Sequence, residues 1–166
     1  MFKNLFGKKN TADKELKITS PLNGKYVKLE DIPDPVFAEK MMGEGFGVEP
    51  TDGEVVSPVS GTVMQVFPTN HAVGIKTDND IELLIHIGLE TVAMEGKGFE
   101  GHVSEGDKVE QGDKLVTFDI DLVKAEANST ISPVIITNSD ILDSFSLEEV
   151  SSLNRADTVV ARASIK

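Results

Sequence analysis

The amino-acid sequence predicts an all-β protein, an antiparallel β-sandwich or barrel-like fold with a few short helical turns. Short runs rich in apolar and β-branched residues recur along the chain. Turn signals separate them, for example at residues 22–24 (LNG), 51–53 (TDG) and 111–113 (QGD). A length of 166 residues fits one domain with a substantial core.

The predicted elements follow one another from residue 16 to residue 163. The strands are residues 16–18, 25–28, 54–56, 62–67, 71–76, 81–87, 114–118, 134–137 and 158–163. Residues 122–127 predict one or two helical turns, with Asp121 as the N-cap. Residues 43–47 (GEGFG) invite comparison with a phosphate-binding loop, but no Gly-Lys-Ser/Thr follows them. We interpret this segment as a turn-rich connector.

Residues 71–87 form the most informative stretch, a predicted β-hairpin. Residues 81–87 (IELLIHI) are apolar and free of Gly and Pro, which favours a buried strand. Residues 77–80 (TDND) tolerate the positive φ angles of tight turns. If Asp78 and Asn79 occupy the turn, His71 lies directly opposite His86, with Cβ atoms about 5 Å apart. The same face then carries Val73 and Leu84 as an apolar collar.

Two converging histidines indicate a functional site more strongly than one histidine does. A neutral imidazole is suited to proton transfer, metal binding or nucleophilic attack near pH 7. A metal site would need a third ligand, and no third His or Cys lies near the pair in sequence. His102, beside the predicted edge of a strand, is interpreted as a structural residue.

Several motifs resemble the glucose-type enzyme IIA proteins of the bacterial phosphoenolpyruvate:sugar phosphotransferase system. They are residues 31–40 (DIPDPVFAEK), 69–72 (TNHA), 82–92 (ELLIHIGLETV) and 132–138 (SPVIITN). The likeness covers roughly residues 17–166 and implies an all-β sandwich. It also implies that His86 accepts phosphate, that His71 stabilises the transferred group, and that Thr69 orients His71.

The resemblance implies a phosphocarrier that takes phosphate from the carrier HPr and passes it to a cysteine of an enzyme IIB domain during sugar uptake. Regulatory protein partners are also implied. The expected docking residues are Val36, Phe37, Met41, Met42, Phe67, Val73, Leu84, Glu90, Val92 and Asp140, with Glu39 and Glu44 on the acidic rim. Gln65 stands where several relatives carry a basic residue.

Two other classes stay open at this point. In one, the chain is a non-enzymatic interaction module in which His71 and His86 bind zinc together with a carboxylate from a partner. In the other, it is a biotinyl-like carrier, as residues 57–63 and 105–113 suggest, although no Met-Lys pair follows Leu115. The phosphocarrier itself requires no cofactor.

Charge divides the chain into a basic tail and an acidic domain. The formal net charge of −12 argues against nucleic-acid binding and favours basic partner surfaces. Residues 1–17 carry five lysines against two acidic residues, a net charge of +3. We therefore expect residues 1–16 to form a flexible amphipathic tail with weak affinity for anionic membranes, followed by the enzyme IIA domain at 17–166. The lack of Cys excludes disulfides and leaves the compartment open. Without a signal-peptide pattern or a long apolar run, a cytoplasmic location is expected.

Overall fold

The computed structural model describes residues 15–166, and the predicted all-β class is confirmed. The fourteen strands within this range are β1 Glu15–Thr19, β2 Gly24–Val27, β3 Glu44–Pro50, β4 Glu54–Val56, β5 Gly61–Val66, β6 Ala72–Lys76, β7 Glu82–His86, β8 Phe99–Gly101, β9 Lys108–Val109, β10 Lys114–Phe118, β11 Ser132–Ile136, β12 Leu142–Leu147, β13 Ser152–Leu153 and β14 Val159–Ile165. The helices are α1 Pro35–Ala38, α2 Ile120–Glu126 and three 3₁₀ turns at Leu29–Asp31, Thr91–Met94 and Ser139–Ile141.

The strands form three antiparallel sheets. The largest has eight strands in the order β13-β2-β3-β11-β7-β6-β5-β9, and the predicted hairpin, β6 and β7, lies inside it. Two three-stranded sheets, β1-β14-β12 and β4-β10-β8, complete the fold. Because β7 has β6 on one side and β11 on the other, its backbone is hydrogen-bonded along both edges. The strand that carries His86 is therefore firmly held.

The main core takes side chains from both strands of the hairpin. Val73, Ile75, Leu83 and Ile85 are all at most 1% exposed and belong to one apolar cluster. Burial of such side chains stabilises the fold by roughly 1.5–3 kcal/mol each. Both strands that lead to the histidines are consequently anchored in the main core.

Residues 44–47 form a strand rather than a connector, which corrects the sequence prediction for all of this segment except Gly43. Residues 44–47 lie in β3, between β2 and β11. A Cβ on Gly45 would lie 2.0 Å from the carbonyl oxygen of Val134, so the two backbones approach more closely than a side chain allows. Gly45 serves strand packing, whereas Gly43, with φ +135° and its N–H bonded to the Lys40 carbonyl, lies in the turn before β3.

The predicted N-cap of the longer helix is also wrong. Helix α2 begins at Ile120, two residues before the predicted start, and Asp119 is its N-cap. The Asp119 carboxylate accepts a hydrogen bond from the backbone N–H of Leu122 at 3.1 Å. Asp121 lies within the first turn instead, where an acidic side chain interacts favourably with the helix dipole.

The hairpin register differs from the prediction by one residue. Thr77 and Ile81 close the loop through a backbone hydrogen bond, and Asp80 is left-handed with φ 69°. A three-residue loop of this kind is a turn followed by a left-handed residue. Because the loop holds three residues rather than two, Ala72 pairs with His86 and Val73 with Ile85. The direct cross-strand pairing of His71 with His86 is therefore wrong.

The expected tail falls mostly outside the described residues. Strand β1 begins at Glu15, so the last two residues of the expected tail pair with β14. Within residues 15–166, no helix combines the length and the apolar character that a membrane span requires.

Candidate active site

The two imidazoles meet at the open end of the hairpin although their residues are not paired in register. The ring centroids of His71 and His86 are 5.1 Å apart and the planes are inclined by 80°. His86 is the last residue of β7, whereas His71 precedes β6 and is free of the strand's strict alternation. The backbone N–H of Ile87 donates to the carbonyl of His71 at 2.7 Å, which joins the two segments.

The ring of His86 is held through one nitrogen. Its Nδ1 lies 2.8 Å from the carbonyl oxygen of Gly88. A carbonyl oxygen only accepts hydrogen bonds, so Nδ1 carries the proton and Nε2 keeps a lone pair. Burial lowers the pKa of His86, while the Gly88 carbonyl and the Asp34 carboxylate oppose that effect. The neutral imidazole is thereby favoured, with Nε2 available as a nucleophile.

Gly88 is required by its backbone conformation. Its φ is +72°, a left-handed value that side chains disfavour. A Cβ here would lie 2.6 Å from Cγ2 of Thr91 and 2.9 Å from the carbonyl oxygen of Ser129. The His-Ile-Gly motif thus has a local physical reason, because this turn directs the Gly88 carbonyl back toward the ring that precedes it.

His71 is held by the short loop between β5 and β6. The Thr69 hydroxyl hydrogen-bonds Nδ1 of His71, which is the contact that its expected orienting role requires. The loop begins with a turn in which Asn70 N–H donates to the Phe67 carbonyl at 2.7 Å, and Asn70 itself is left-handed. Burial first, and the neighbouring His86 second, lower the pKa of His71 to about 4.

Asp34 is a candidate site residue that the sequence reasoning did not single out. It is the N-cap of α1, and its Oδ1 accepts from the Val36 N–H at 3.0 Å. The same helix places the Phe37 ring 5.3 Å from the ring of His86. The signal was present, because Asp followed by Pro is typical of a helix start. What the sequence did not reveal is that this helix packs beside His86.

The expected docking residues separate by exposure. Val36, Met41, Glu90, Val92 and Asp140 are exposed, while Met42 and Phe67 are half-buried. Phe37 and Leu84 are buried at 5% and 8% exposure, at the margin of the site. Val73 lies in the main core and does not share a face with Leu84, so its place in the collar is wrong. The one-residue change in register explains this, since it turns Val73 to the opposite side of the sheet.

A shallow apolar groove continues from the site across the hairpin. Its lining includes Met42, Met64, Phe67 and Leu84, with Gln65 beside them, and its volume is about 200 Å³. The Phe67 ring also contacts the His71 ring, with centroids 5.4 Å apart. The groove therefore connects directly to the histidine pair. The rim residues Glu39 and Glu44 follow helix α1 in the chain, and Glu44 forms an ion pair with Lys40.

Within the described residues, a metal ion at this site would have two histidine ligands, and the zinc alternative takes its further ligand from a partner. Within residues 15–166 there is no group of three or more His, Cys, Asp or Glu side chains that could hold a metal ion. His71 and His86 would supply two ligands, and zinc sites in proteins use three or four protein ligands. His102 is exposed, with Nε2 2.9 Å from the Thr117 hydroxyl, and contributes nothing to the pair.

A held, neutral imidazole beside a second one defines a protein suited to group transfer through a histidine nucleophile. The phosphoenolpyruvate-dependent sugar phosphotransferase system EIIA 1 family matches residues 16–142. The chain is 58% identical over 160 residues to the PTS system glucose-specific EIIA component of Staphylococcus epidermidis, and 55% identical to that of Staphylococcus aureus, with 96% of each chain covered. Glucose permease IIA from Mycoplasma capricolum shares the fold with a TM-score of 0.84 at 38% identity, over 89% of this chain and 96% of that one.

The chain therefore belongs to the EIIA 1 family of sugar phosphotransferase system proteins. This confirms the resemblance drawn from the motifs. Membership also makes the chain a phosphotransferase component.

The lowered pKa of His71 predicts a pH dependence of stability. An unfolded histidine binds a proton near pH 6.5, about its ordinary value, whereas folded His71 binds one near pH 4. Between these values the unfolded state holds more protons, so the free energy of unfolding falls as the pH is lowered from 6.5 toward 4. His71→Gln should lack this contribution. Urea unfolding of both proteins from pH 4 to pH 8 should show wild type losing more stability than His71→Gln between pH 6.5 and pH 4, and parallel curves would contradict the prediction.

Proposed function

We propose that the protein carries phosphate during sugar uptake, accepting it on His86 from phospho-HPr and passing it to a cysteine of an enzyme IIB domain. The observation that carries the proposal is the hydrogen bond from His86 Nδ1 to the Gly88 carbonyl, because it leaves Nε2 as the free nucleophile. The relatives named as glucose-specific EIIA components support the phosphate-carrying role.

Transfer proceeds in two substitutions at phosphorus. Nε2 of His86 forms a bond to the phosphoryl group as the bond to the donor histidine breaks, and the donor nitrogen keeps the electron pair. In the second step a cysteine thiolate takes the group and His86 Nε2 leaves as a neutral nitrogen. Phosphoryl transfer passes through a loose transition state, so positioning and electrostatic stabilisation supply most of the catalysis.

His71 supplies that stabilisation. If the Thr69 hydroxyl donates to Nδ1, the ring proton of His71 resides on Nε2 and is available to the phosphoryl oxygens. A neutral ring suits this role, because burial disfavours a cation at rest. A hydrogen-bond donor fixed before the reaction costs no reorganisation when charge develops on the phosphoryl group.

The surroundings suit protein partners rather than a small substrate. The rings of Phe37 and Phe67 pack against the two imidazoles and limit access of water, which slows hydrolysis of the phosphohistidine. Val36 and Val92 expose apolar area on the helical turns at Pro35–Ala38 and Thr91–Met94, and Met41 exposes apolar area shortly after the first of these turns. Such residues beside Glu90 and Asp34 fit a partner surface that is apolar at its centre and basic at its rim.

The location and the tail complete the proposal. We place the protein in the cytoplasm, with residues 17–166 as the carrier domain. Of the expected tail, residues 1–14, which carry four lysines, would contact anionic membrane weakly and bring the carrier closer to a membrane-bound permease.

Substitution of each histidine should separate the two roles. His86→Ala should abolish phosphorylation, because its Nε2 is the nucleophile. His71→Gln should still accept phosphate on His86 but transfer it about a hundredfold more slowly. The reason is that one preorganised hydrogen-bond donor stabilises the transition state by about 3 kcal/mol. The measurement is a time course with a phosphoenolpyruvate-driven HPr cascade, followed by intact mass and a chase with an enzyme IIB domain.

The contrary results are equally clear for this experiment. Labelling of His86→Ala at the wild-type rate, or phosphate found on His71, would require the two roles to be exchanged. His102→Ala is the matched control, because this exposed histidine lies outside the pair and its loss should change neither step.

The docking proposal is tested at an exposed apolar residue, since Phe37 and Leu84 are too buried to accept a charge without loss of stability. Met41 is 70% exposed, so Met41→Glu should leave the melting temperature unchanged. It should raise the KM for phospho-HPr by about tenfold, the effect of roughly 1.4 kcal/mol of lost binding. Leu147→Glu, at a 42% exposed residue of the β1-β14-β12 sheet, is the control. Equal KM values for the two variants would remove Met41 from the docking surface.

A further inference from the structure

The backbone on both sides of Gly88 is held by buried groups that the mechanism above does not use. Ser132, at the start of β11, is 0% exposed. Its Oγ accepts from the Gly88 N–H at 3.1 Å and donates to the Thr130 carbonyl at 2.9 Å. Both hydrogen-bonding functions of this hydroxyl are therefore satisfied around the glycine that follows the nucleophile.

A second hydroxyl acts on the same peptide group from its other end. Thr91 is also 0% exposed, and its Oγ1 donates to the Ile87 carbonyl at 2.6 Å. The peptide group between Ile87 and Gly88 is thus fixed at its oxygen by Thr91 and at its nitrogen by Ser132. Rotation of this group would break two buried hydrogen bonds at once, which the interior disfavours.

The next peptide group carries the carbonyl that holds His86. Its oxygen accepts from His86 Nδ1, and its N–H, that of Leu89, donates to the Ser129 carbonyl at 2.9 Å. Leu89 and Ser129 form an isolated antiparallel bridge. Together the hydrogen bonds of Thr91, Ser132 and Ser129 form what we call the Gly88 clamp, which sets the direction of the Gly88 carbonyl.

We propose that Ser132 and Thr91 are positioning residues for the nucleophile, acting through the Gly88 carbonyl to keep the proton of His86 on Nδ1. The inference rests on the proposed function for its catalytic consequence, although the state of the ring is independent of it. The hydrogen bond at one nitrogen of a histidine decides which nitrogen carries the proton. If the Gly88 carbonyl turns away, part of the population places the proton on Nε2, and that form has no lone pair where phosphate arrives.

Ser132 is the first residue of the motif at 132–138, and the positioning role accounts for its hydroxyl. Within the sheet, Ser132 pairs with Val48 of β3, and β11 also borders β7, the strand of the nucleophile. Ordinary strand pairing would need no hydroxyl at this position. The Ser132 hydroxyl accepts a hydrogen bond from the Gly88 N–H, and so it holds the backbone in place just beyond the end of β7.

The test measures the ring before it measures transfer. Ser132→Ala and the nearly isosteric Thr91→Val each remove one hydroxyl, and Ser57→Ala is the matched control. Ser57 is likewise 0% exposed, and its hydroxyl bonds the Val59 carbonyl at 2.6 Å. Ring ¹⁵N chemical shifts of His86 in unphosphorylated protein above pH 7 report which nitrogen is protonated. The rate of phosphate uptake from phospho-HPr is then measured on the same samples.

Wild type and Ser57→Ala should show His86 protonated at Nδ1, whereas Ser132→Ala and Thr91→Val should show a shift toward the Nε2–H form. Uptake should slow about tenfold in those two variants, since small misplacements of reacting groups cost up to about a hundredfold. Ser132→Thr keeps the hydroxyl, so its His86 ring shifts and its rate of phosphate uptake should match those of wild type. If Ser132→Thr does not fold, the result for Thr91→Val decides the test.

Unchanged ring shifts in both hydroxyl variants would overturn the inference, as would an equal change in Ser57→Ala. If the wild-type protein takes up no phosphate, the proposed function fails while the ring measurement still decides the positioning role.

Discussion

The hydrogen bond from the Ile87 N–H to the His71 carbonyl joins the two histidine-bearing segments where the central hairpin opens. Without it, the loop before β6 would have no backbone connection to the end of β7. The bond is available because the three-residue turn sets Ala72 opposite His86, so the ladder continues by one more contact to His71. The position of the site thus depends on a turn at the far end of the same hairpin.

In both histidines the protein holds the ring through Nδ1. Each Nδ1 is hydrogen-bonded to a residue nearby in sequence. Nδ1 of His86 bonds the carbonyl of Gly88, two residues later, and Nδ1 of His71 bonds the hydroxyl of Thr69, two residues earlier. In the proposed mechanism both Nε2 atoms are then available to the transferred phosphoryl group. Burial lowers both pKa values, so the pair stays neutral near pH 7 and two cations do not face each other.

Much of this was predictable from the sequence, and the exceptions have physical causes. Alternating runs and turn signals predicted the all-β fold, and the apolar run 81–87 located the strand that ends at His86. The register was not predictable, because residues 77–80 fit a two-residue and a three-residue loop equally well. Gly45 misled for a similar reason, since glycine marks both turns and close backbone contacts in sheets. The placement of Asp34 and Ser132 beside the site depends on packing between elements distant in sequence.

The claim at the centre of this mechanism is that Nε2 of His86 is the atom that receives phosphate. It is tested most directly by phosphorylating ¹⁵N-histidine-labelled protein with phospho-HPr and measuring the coupling between phosphorus and the ring nitrogens. The structure predicts coupling to Nε2 of His86, with Nδ1 still protonated and bound to the Gly88 carbonyl. Coupling to Nδ1 of His86, or to either nitrogen of His71, would contradict it.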